Sequence, residues 1–238
     1  MKNWFFGLHL LWATLAGAQN LQFHYDFRHS LDPNLNRRNF PSMSFEYFKD
    51  GDSTGLFLLK MQMDFNGEKS NVGQAFLQVS KNLRYWKPKV FLTLNYSGGL
   101  GITPPGFGYH ISNSFGMGVA KTYSWKTNVL SLGFLYRYSA FQRASHDGQI
   151  NLFFFRGMFN YRLQVAGSIV AWTQNRDLGI EYTKDLRGKK IIFFGDPQIW
   201  WKLRGNTSIG TRINLFYKVL TDENRVQVYP TLGMRCEL

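Results

Sequence analysis

Strict alternation of apolar and polar residues is the feature that most limits what this chain can fold into. The segment Val226–Leu238 places five apolar residues on one parity and polar residues on the other: Val228, Leu232, Met234, Cys236 and Leu238 against Gln227, Thr231, Arg235 and Glu237. Successive side chains of a strand point to opposite faces, so the pattern predicts a strand with one apolar and one polar face. Because it runs to Leu238, we expect this strand to close a barrel by pairing with the first strand.

The same period-two pattern recurs along the rest of the chain. It predicts strands at Leu21–Arg28, Ser42–Lys49, Gly55–Phe65, Gln74–Leu83, Lys89–Ser97, His110–Ala120, Asn128–Tyr138, Gln149–Arg156, Tyr161–Gln174, Ile191–Leu203, Ser208–Tyr217 and Val226–Leu238. Pro230 lacks an amide donor, and a β-bulge would accommodate it within the last strand. The predicted fold class is therefore all-β, a single antiparallel transmembrane β-barrel of about 12 strands.

The connections between these segments alternate between long and short. Long polar connections include Gly98–Tyr109 and Asn175–Lys190, whereas Lys121–Thr127 and Gly157–Asn160 are short. Outer-membrane barrels have short periplasmic turns and longer outer loops, which predicts both chain ends on the periplasmic side. Aromatic residues near the short turns predict an interfacial girdle: Tyr85, Trp86, Tyr123, Trp125, Phe159 and Tyr161.

The first residues have the pattern of a secretory signal peptide. Lys2 precedes an apolar run at Trp4–Leu15, and Ala16-Gly17-Ala18 forms an A-x-A cleavage site before Gln19. We therefore expect residues 1–18 to be a signal peptide and residues 19–238 to be the barrel. A buried N-terminal helix is the alternative, and the run is too short for a spanning helix.

The charge balance limits the partners. The chain has 28 Lys and Arg residues against 15 Asp and Glu residues, a formal net charge of +13. An exported protein seldom meets nucleic acid, so we expect the partners to be outer-membrane lipid, anionic lipopolysaccharide and small polar solutes. The single Cys236 forms no internal disulfide, and no metal or cofactor motif is present, so we expect no cofactor.

Several short phrases occur together in one order along the chain. They are L-Q-F-H-Y-D-F at Leu21–Phe27, F-E-Y-F-K at Phe45–Lys49, M-D-F at Met63–Phe65, D-P-Q-I-W at Asp196–Trp200, S-I-G-T at Ser208–Thr211 and Y-P-T-L-G at Tyr229–Gly233. The ordered set resembles the nucleoside-specific channel-forming (Tsx-like) outer-membrane family, in its Bacteroidetes branch.

That resemblance implies a monomeric twelve-stranded barrel with a narrow lumen that passes nucleosides and similar small solutes. It also implies folding by the barrel-assembly machinery. The chain departs from the family at its C-terminus, where Arg235–Leu238 stands in place of the usual terminal aromatic residue.

The polar parity of the predicted strands lines the lumen, where opposed charges orient polar solutes and aromatic rings stack on a base or sugar. The candidate solute-binding residues are Glu46, Lys60, Asp64, Gln78, Arg137, Arg156, Trp172, Trp200 and Arg212. A small barrel must also fill its interior, so for any one of these residues structural filling is the alternative role.

One motif favours a different class of function. His110-Ile111-Ser112-Asn113 resembles the H-x-S-N phrase of outer-membrane phospholipase and lipid A deacylase, and strand residues two apart share a face. The pair Ser112 and His110 is thus the candidate nucleophile and base of a lipid hydrolase. A passive channel without catalysis is the leading hypothesis, and a secreted soluble β-rich binding protein is the third.

Overall fold

The computed structural model describes residues 18–49, 55–84, 90–103 and 106–238, and in them regular structure is almost entirely β. Apart from Ala18, the predicted signal peptide lies outside the described residues, as do Tyr85 and Trp86 of the predicted girdle.

The described residues form thirteen strands, whose alternating patterns match the predicted segments. They are β1 (Ala18–Asp26), β2 (Phe40–Lys49), β3 (Phe57–Asp64), β4 (Gln74–Arg84), β5 (Val90–Thr103), β6 (Phe107–Trp125), β7 (Asn128–Ser139), β8 (Ser145–Met158), β9 (Leu163–Asn175), β10 (Lys189–Gly195), β11 (Gln198–Arg204), β12 (Thr207–Tyr217) and β13 (Val226–Glu237). A one-turn helix, α1 (Arg28–Leu31), follows β1, and a 3-10 turn spans Glu68–Ser70. Among the described residues, no helix is long and apolar enough to cross a membrane.

All strands belong to one antiparallel sheet that closes on itself. The first and last strands pair from Asn20 opposite Glu237 to Asp26 opposite Thr231, as the sequence predicted. Both β10 and β11 lie between β9 and β12, so they are two halves of one strand position. The sheet is therefore a closed barrel with twelve strand positions, and the predicted fold class is confirmed.

The break between β10 and β11 divides what the sequence predicted as one strand, Ile191–Leu203. Pro197 has no amide donor, so the ladder cannot continue through it. The amide of Asp196 still donates to the Ser168 carbonyl at 2.9 Å, and the Pro197 carbonyl accepts from Ile213 at 2.8 Å. The side chain of Asp196 is left in the barrel interior, where it is buried.

Two local predictions were wrong. The register is unchanged from Gly210–Gly233 to Ile213–Pro230, so there is no bulge at Pro230. Instead, the Thr231 hydroxyl bridges the strands by accepting from the Arg212 amide at 3.2 Å. The predicted loop Gly98–Tyr109 is mostly strand, since β5 extends to Thr103 and β6 begins at Phe107.

The two ends of the barrel differ. Segments 27–39, 65–73, 140–144, 176–188 and 218–225 connect strands at one end, here called the loop end. Shorter turns at 126–127, 159–162 and 205–206 lie at the other, here called the turn end, together with Ala18 and Leu238. Tyr123, Trp125, Phe159 and Tyr161 are exposed near these turns, as the sequence predicted.

Candidate functional site in the barrel lumen

The parity of each strand decides which side chains enter the lumen. Along β13, exposed apolar side chains alternate with buried polar ones almost without exception. Leu232 and Met234 are each 56% exposed, whereas Thr231 and Arg235, which flank this pair in the sequence, are 3% and 6% exposed. The exterior is therefore apolar and the interior polar, the reverse of a soluble protein.

Charged side chains that cross the lumen fill one side of it. Lys60 on β3 forms an ion pair with Asp196, which lies almost diametrically opposite in the strand order, and its Nζ is 3.5 Å from Glu46 Oε1. The second oxygen of Asp196 accepts from the amide and hydroxyl of Ser168 at 2.9 and 2.7 Å. This geometry joins opposite walls of the barrel.

Amide side chains make a second set of contacts across the lumen. Gln22 on β1 donates to Glu46 at 3.1 Å and to Gln198 on β11 at 3.3 Å. The indole of Trp200 donates to the Gln198 oxygen at 2.8 Å. Trp200 is fully buried beneath the Arg235 guanidinium, whose Cζ lies 5.1 Å from the ring centroid.

Arginines complete this side of the lumen. Arg212 donates to Gln62 at 3.2 Å and to Ser42 at 3.4 Å, and Arg235 donates to Gln164 on β9 at 2.8 Å. We call the lumenal charged and amide side chains of β1–β3 and β11–β13, together with Asp196, the ionic cluster. Lys60, Glu46 and Asp196 are paired within it, whereas Arg212 and Arg235 each keep a buried Nε without a hydrogen-bond partner. The cluster therefore acts first as a packed polar core.

Near the loop end, a caged arginine continues the ionic cluster. Arg28 forms an ion pair with Asp26 at 2.7 Å, and its guanidinium lies 4.7 Å from the Phe40 ring centroid and 5.5 Å from that of Tyr229. Both partners are buried, so this contact fixes α1 over the end of β1.

The opposite side of the lumen, formed mainly by β4–β9, has a different chemistry. It lines a partly open cavity of about 60 Å³, here called the neutral cavity, and none of the residues that line it is charged. Its polar lining includes Gln78, Ser80, Asn82, Thr93, Asn95 and Asn151. The stacked rings of Phe48 and Phe153, with centroids 5.5 Å apart, also line it.

One guanidinium lies beside the neutral cavity, toward the loop end. Arg137 is two residues beyond the lining residue Leu135 on the same face of β7. It donates to Gln149 at 2.7 Å and to Ser112 at 3.3 Å, and its Cζ lies 4.7 Å from the ring centroid of Trp172. Trp172 also lies beside the cavity, because it is two residues beyond the lining residue Val170 on the same face of β9.

The comparison with protein families adds one finding. Residues 18–238 match the family described as "Domain of unknown function (DUF5020)". The chain belongs to this family. A search of the curated proteins found no match.

Solved porin structures resemble this DUF5020 barrel. The NanC porin in a rhombohedral crystal form matches with a TM-score of 0.52 and 8% identity, over 93% of this chain and 100% of that one. A porin refined at 1.8 Å resolution matches with a TM-score of 0.37 and 10% identity, over 93% of this chain and 99% of that one. At such low identity the NanC likeness supports the barrel fold and nothing finer.

Most of the predicted site residues of the DUF5020 barrel do enter the lumen, but on different sides. Glu46, Lys60, Trp200 and Arg212 belong to the ionic cluster, and so does Asp64, which accepts from Gln62 at 2.9 Å. Gln78 lines the neutral cavity, and Arg137 and Trp172 lie beside it. The sequence therefore predicted the lumenal face but not its division into two sides.

The prediction for Arg156 was wrong. Arg156 is exposed, and it is opposite Val165 in the pairing of β8 with β9. Gln149 is buried in the lumen, and a residue seven positions further along a strand must point to the other face. Arg156 thus lies on the outer surface near the turn end.

The hydrolase pair is not assembled. The Ser112 hydroxyl is 3.2 Å from Ser114 Oγ and accepts from Arg137, whereas His110 is exposed and makes no hydrogen bond to it. The register shifts beside them, between Gly99 and Leu100 on β5. In the part of the chain that the structure describes, no group of three or more His, Cys, Asp or Glu residues is placed to hold a metal ion.

The sequence analysis missed Asp196 and Gln198 as lumenal residues. β10 and β11 pair with β9 in one continuous register, so Asp196 and Gln198 share the parity of the lumenal Trp200. The alternation that named Trp200 was therefore the available signal for both residues.

Proposed function

We propose that this chain is a channel of the bacterial outer membrane through which small polar solutes diffuse passively. The observation that carries the proposal is the closed barrel with an apolar exterior and a polar interior. A soluble protein seldom exposes so large an apolar surface. A bilayer, in contrast, accepts a closed barrel because every backbone group is paired within the sheet.

The exterior supports a membrane location in more detail. Phe115 and Met117 on β6 and Phe134 on β7 are each more than half exposed near the middle of long strands. Exposed aromatic residues follow near the turn end, as expected at a membrane–water boundary. On this proposal the exterior contacts lipid, and the basic loops, including Arg37 and Arg187, face the anionic groups of lipopolysaccharide.

The route to the membrane belongs to the same proposal. Residues 1–18 serve as a cleaved signal peptide, the barrel-assembly machinery inserts residues 19–238, and the barrel acts as a monomer. On this proposal Arg137 orients the passing solute and the ionic cluster fills its side of the lumen, and neither has a catalytic role.

Nucleosides are the solute class that the Tsx-like resemblance indicates, and the geometry gives them little support. Trp200 is fully buried against Gln198 and Arg235, and Phe48 is stacked on Phe153, so neither ring is free to stack on a base. Trp172, which is half-buried beside Arg137, is the one aromatic ring of the predicted site that would contact such a solute.

Osmotic swelling of vesicles tests the proposed function. Residues 19–238 are refolded into phosphatidylcholine vesicles, and folding is checked by the slower gel migration that boiling produces in a barrel. We expect an isosmotic gradient of glycerol to swell these vesicles faster than vesicles that carry boiled chain. A folded barrel that speeds the uptake of no polar solute would overturn the proposal.

A further inference from the structure

Contacts across the lumen close one of its two sides and so limit where a solute can pass. The ionic cluster closes its own side, because Lys60 and Asp196 meet across the barrel and the amides of Gln22 and Gln198 join beside them. The neutral cavity lies on the other side, and no charged residue lines it. A solute that crosses the barrel along β4–β9 would pass through this cavity and beside the stacked rings of Phe48 and Phe153.

Asn95 is a residue of the cavity lining whose amide nitrogen has no hydrogen-bond acceptor. It is 7% exposed, and its Oδ1 already accepts from Ser97 at 3.3 Å. A buried amide donor without an acceptor is costly. Its Nδ2 is closed to the cavity as the side chain stands, so a solute oxygen reaches and stabilises it only when the Asn95 side chain rotates.

The size of the cavity sets the size of the solute. A cavity needs about 10–15 Å³ of such space for each water, so 60 Å³ holds a few waters or a molecule of a few heavy atoms. Glycerol and urea are in this range. A nucleoside has several times as many atoms and would have to separate Phe48 from Phe153.

The chemistry of the lining sets the charge of the solute. Hydroxyl and amide groups replace water for an uncharged polar molecule, but they do not compensate an ion for its lost hydration. The Arg137 guanidinium beside the cavity also repels cations. About half of the lining residues are apolar and none is charged, so the lining favours neutral solutes that have both apolar and hydrogen-bonding groups.

We propose that the neutral cavity binds and passes small uncharged polar solutes of the size of glycerol and urea. The inference rests on the proposed channel function and narrows its substrate class. Asn95 donates to a solute oxygen, and the hydroxyls of Ser80 and Thr93 complete the polar wall.

Swelling rates of proteoliposomes with a series of solutes and two matched variants test this proposal. Asn95→Leu replaces the free amide with an apolar group in the neutral cavity. Asn214→Leu makes the same change on the other side, where the buried Asn214 donates to Asp26 at 3.3 Å. Ser80→Leu is a second obstruction of the cavity, in case Asn95→Leu does not fold.

We expect the wild-type chain to pass glycerol and urea, and to exclude uridine and glutamate. Asn95→Leu or Ser80→Leu should slow glycerol uptake by about tenfold, which corresponds to a barrier about 1.4 kcal/mol higher. Asn214→Leu should leave the glycerol rate within about twofold of wild type, a barrier change of about 0.4 kcal/mol.

Two results would overturn the inference while leaving the channel in place. One is uptake of uridine or glutamate as fast as that of glycerol. The other is a glycerol rate that Asn214→Leu lowers and the cavity variants do not. A folded wild-type chain that passes no solute would instead overturn the channel function itself.

Discussion

Individual charges in this barrel are buried in the lumen and depend on specific partners. Lys60 and Asp196 have side chains only 8% and 2% exposed, and Arg212 is equally enclosed between Gln62 and Ser42. A buried pair adds little net stability, but removing one member leaves an uncompensated charge. The ionic cluster is therefore sensitive to single substitutions and tolerant of paired ones.

Lys60→Met should show this asymmetry. It leaves Asp196 without its counter-ion, so we expect the free energy of unfolding to fall by about 3–5 kcal/mol. The double variant Lys60→Met, Asp196→Asn removes the closer pair and leaves Glu46, which keeps its hydrogen bonds from Gln22 and Gln198, so it should recover most of that loss. Urea unfolding of the vesicle-bound barrel measures both, and a double variant no more stable than Lys60→Met would contradict the cross-lumen pair.

Arg137→Met tests the charge beside the neutral cavity. Removing the guanidinium removes its repulsion of cations, and a barrier lower by about 1.4 kcal/mol would raise the uptake of methylammonium by about tenfold. Arg137→Lys keeps the positive charge and should remain as closed to this cation as wild type. Equal methylammonium rates in Arg137→Met and Arg137→Lys would show that the charge does not select.

Among the strands, β6 is long enough to cross the whole depth of the proposed membrane. Met117 lies near the middle of Phe107–Trp125, and Tyr123 lies near its turn end, both on the exposed face. The cost of a charge on the lipid face depends on depth, so one strand supplies both a test position and its control.

Met117→Arg should lower the free energy of unfolding by about 2–4 kcal/mol, whereas Tyr123→Arg should cost about 0–1 kcal/mol. Urea titration in vesicles of the same lipid gives both values. Equal small costs at the two positions would mean that this face of β6 lies in water.

The loop between β9 and β10 is attached at its base by Asp177. The backbone N–H of Gly179 donates to this carboxylate at 2.8 Å, and that bond together with the Arg143 guanidinium lowers the pKa of Asp177. Because the pKa of Asp177 is lower in the folded loop than in the unfolded chain, its ionised carboxylate stabilises the attachment fully at pH values above the pKa of the unfolded chain. The attachment is lost as the pH falls through the pKa of Asp177 in the folded loop.

A spin label at the exposed Tyr182, introduced as Tyr182→Cys with Cys236→Ser, reports this attachment. We expect the label to become more mobile as the pH is lowered from about 7 to below the usual carboxyl range near 4. Asp177→Asn should give a label that is mobile at both pH values. Line shapes that do not change with pH in the wild-type loop would contradict the role of Asp177.

Period-two alternation predicted the strands, the closure of β1 on β13 and the lumenal face, because each depends only on which side of a strand a residue occupies. The prediction failed at Gly98–Gly101, where several glycines within β5 indicated a loop. A Cβ at Gly98 would lie 2.3 Å from the Tyr96 hydroxyl, and one at Gly101 would lie 2.3 Å from the Tyr109 ring. These glycines make room for tyrosines within a strand, although glycine usually indicates a turn.

The site was less predictable than the fold, since a lumen brings together residues far apart in sequence. The pair Lys60–Asp196 joins positions 136 residues apart, and no local pattern indicates it. Arg156 was predicted on the polar parity of its strand, but Gln149 sets the lumenal parity of β8 and Arg156 lies on the other one. In a barrel, parity is a better guide to orientation than residue type.

For the whole molecule, the lumen divides into an ionic side filled by paired side chains and a neutral side that holds a small cavity, within one closed sheet. The ionic cluster links β1–β3 to β11–β13, and the neutral cavity lies against β4–β9. Both the proposed channel and the narrower proposal for small neutral solutes depend on this barrel lying in a membrane with its apolar parity toward lipid.

Lipid-dependent fluorescence quenching along β7 tests that claim most directly. Cysteines are placed singly from Leu132 to Arg137 in the Cys236→Ser background, labelled with a small fluorophore and exposed to a nitroxide-bearing lipid. We predict strong quenching at positions 132, 134 and 136 and weak quenching at 133, 135 and 137. Quenching that does not alternate, or strong quenching of 134 by a water-soluble agent alone, would contradict the account.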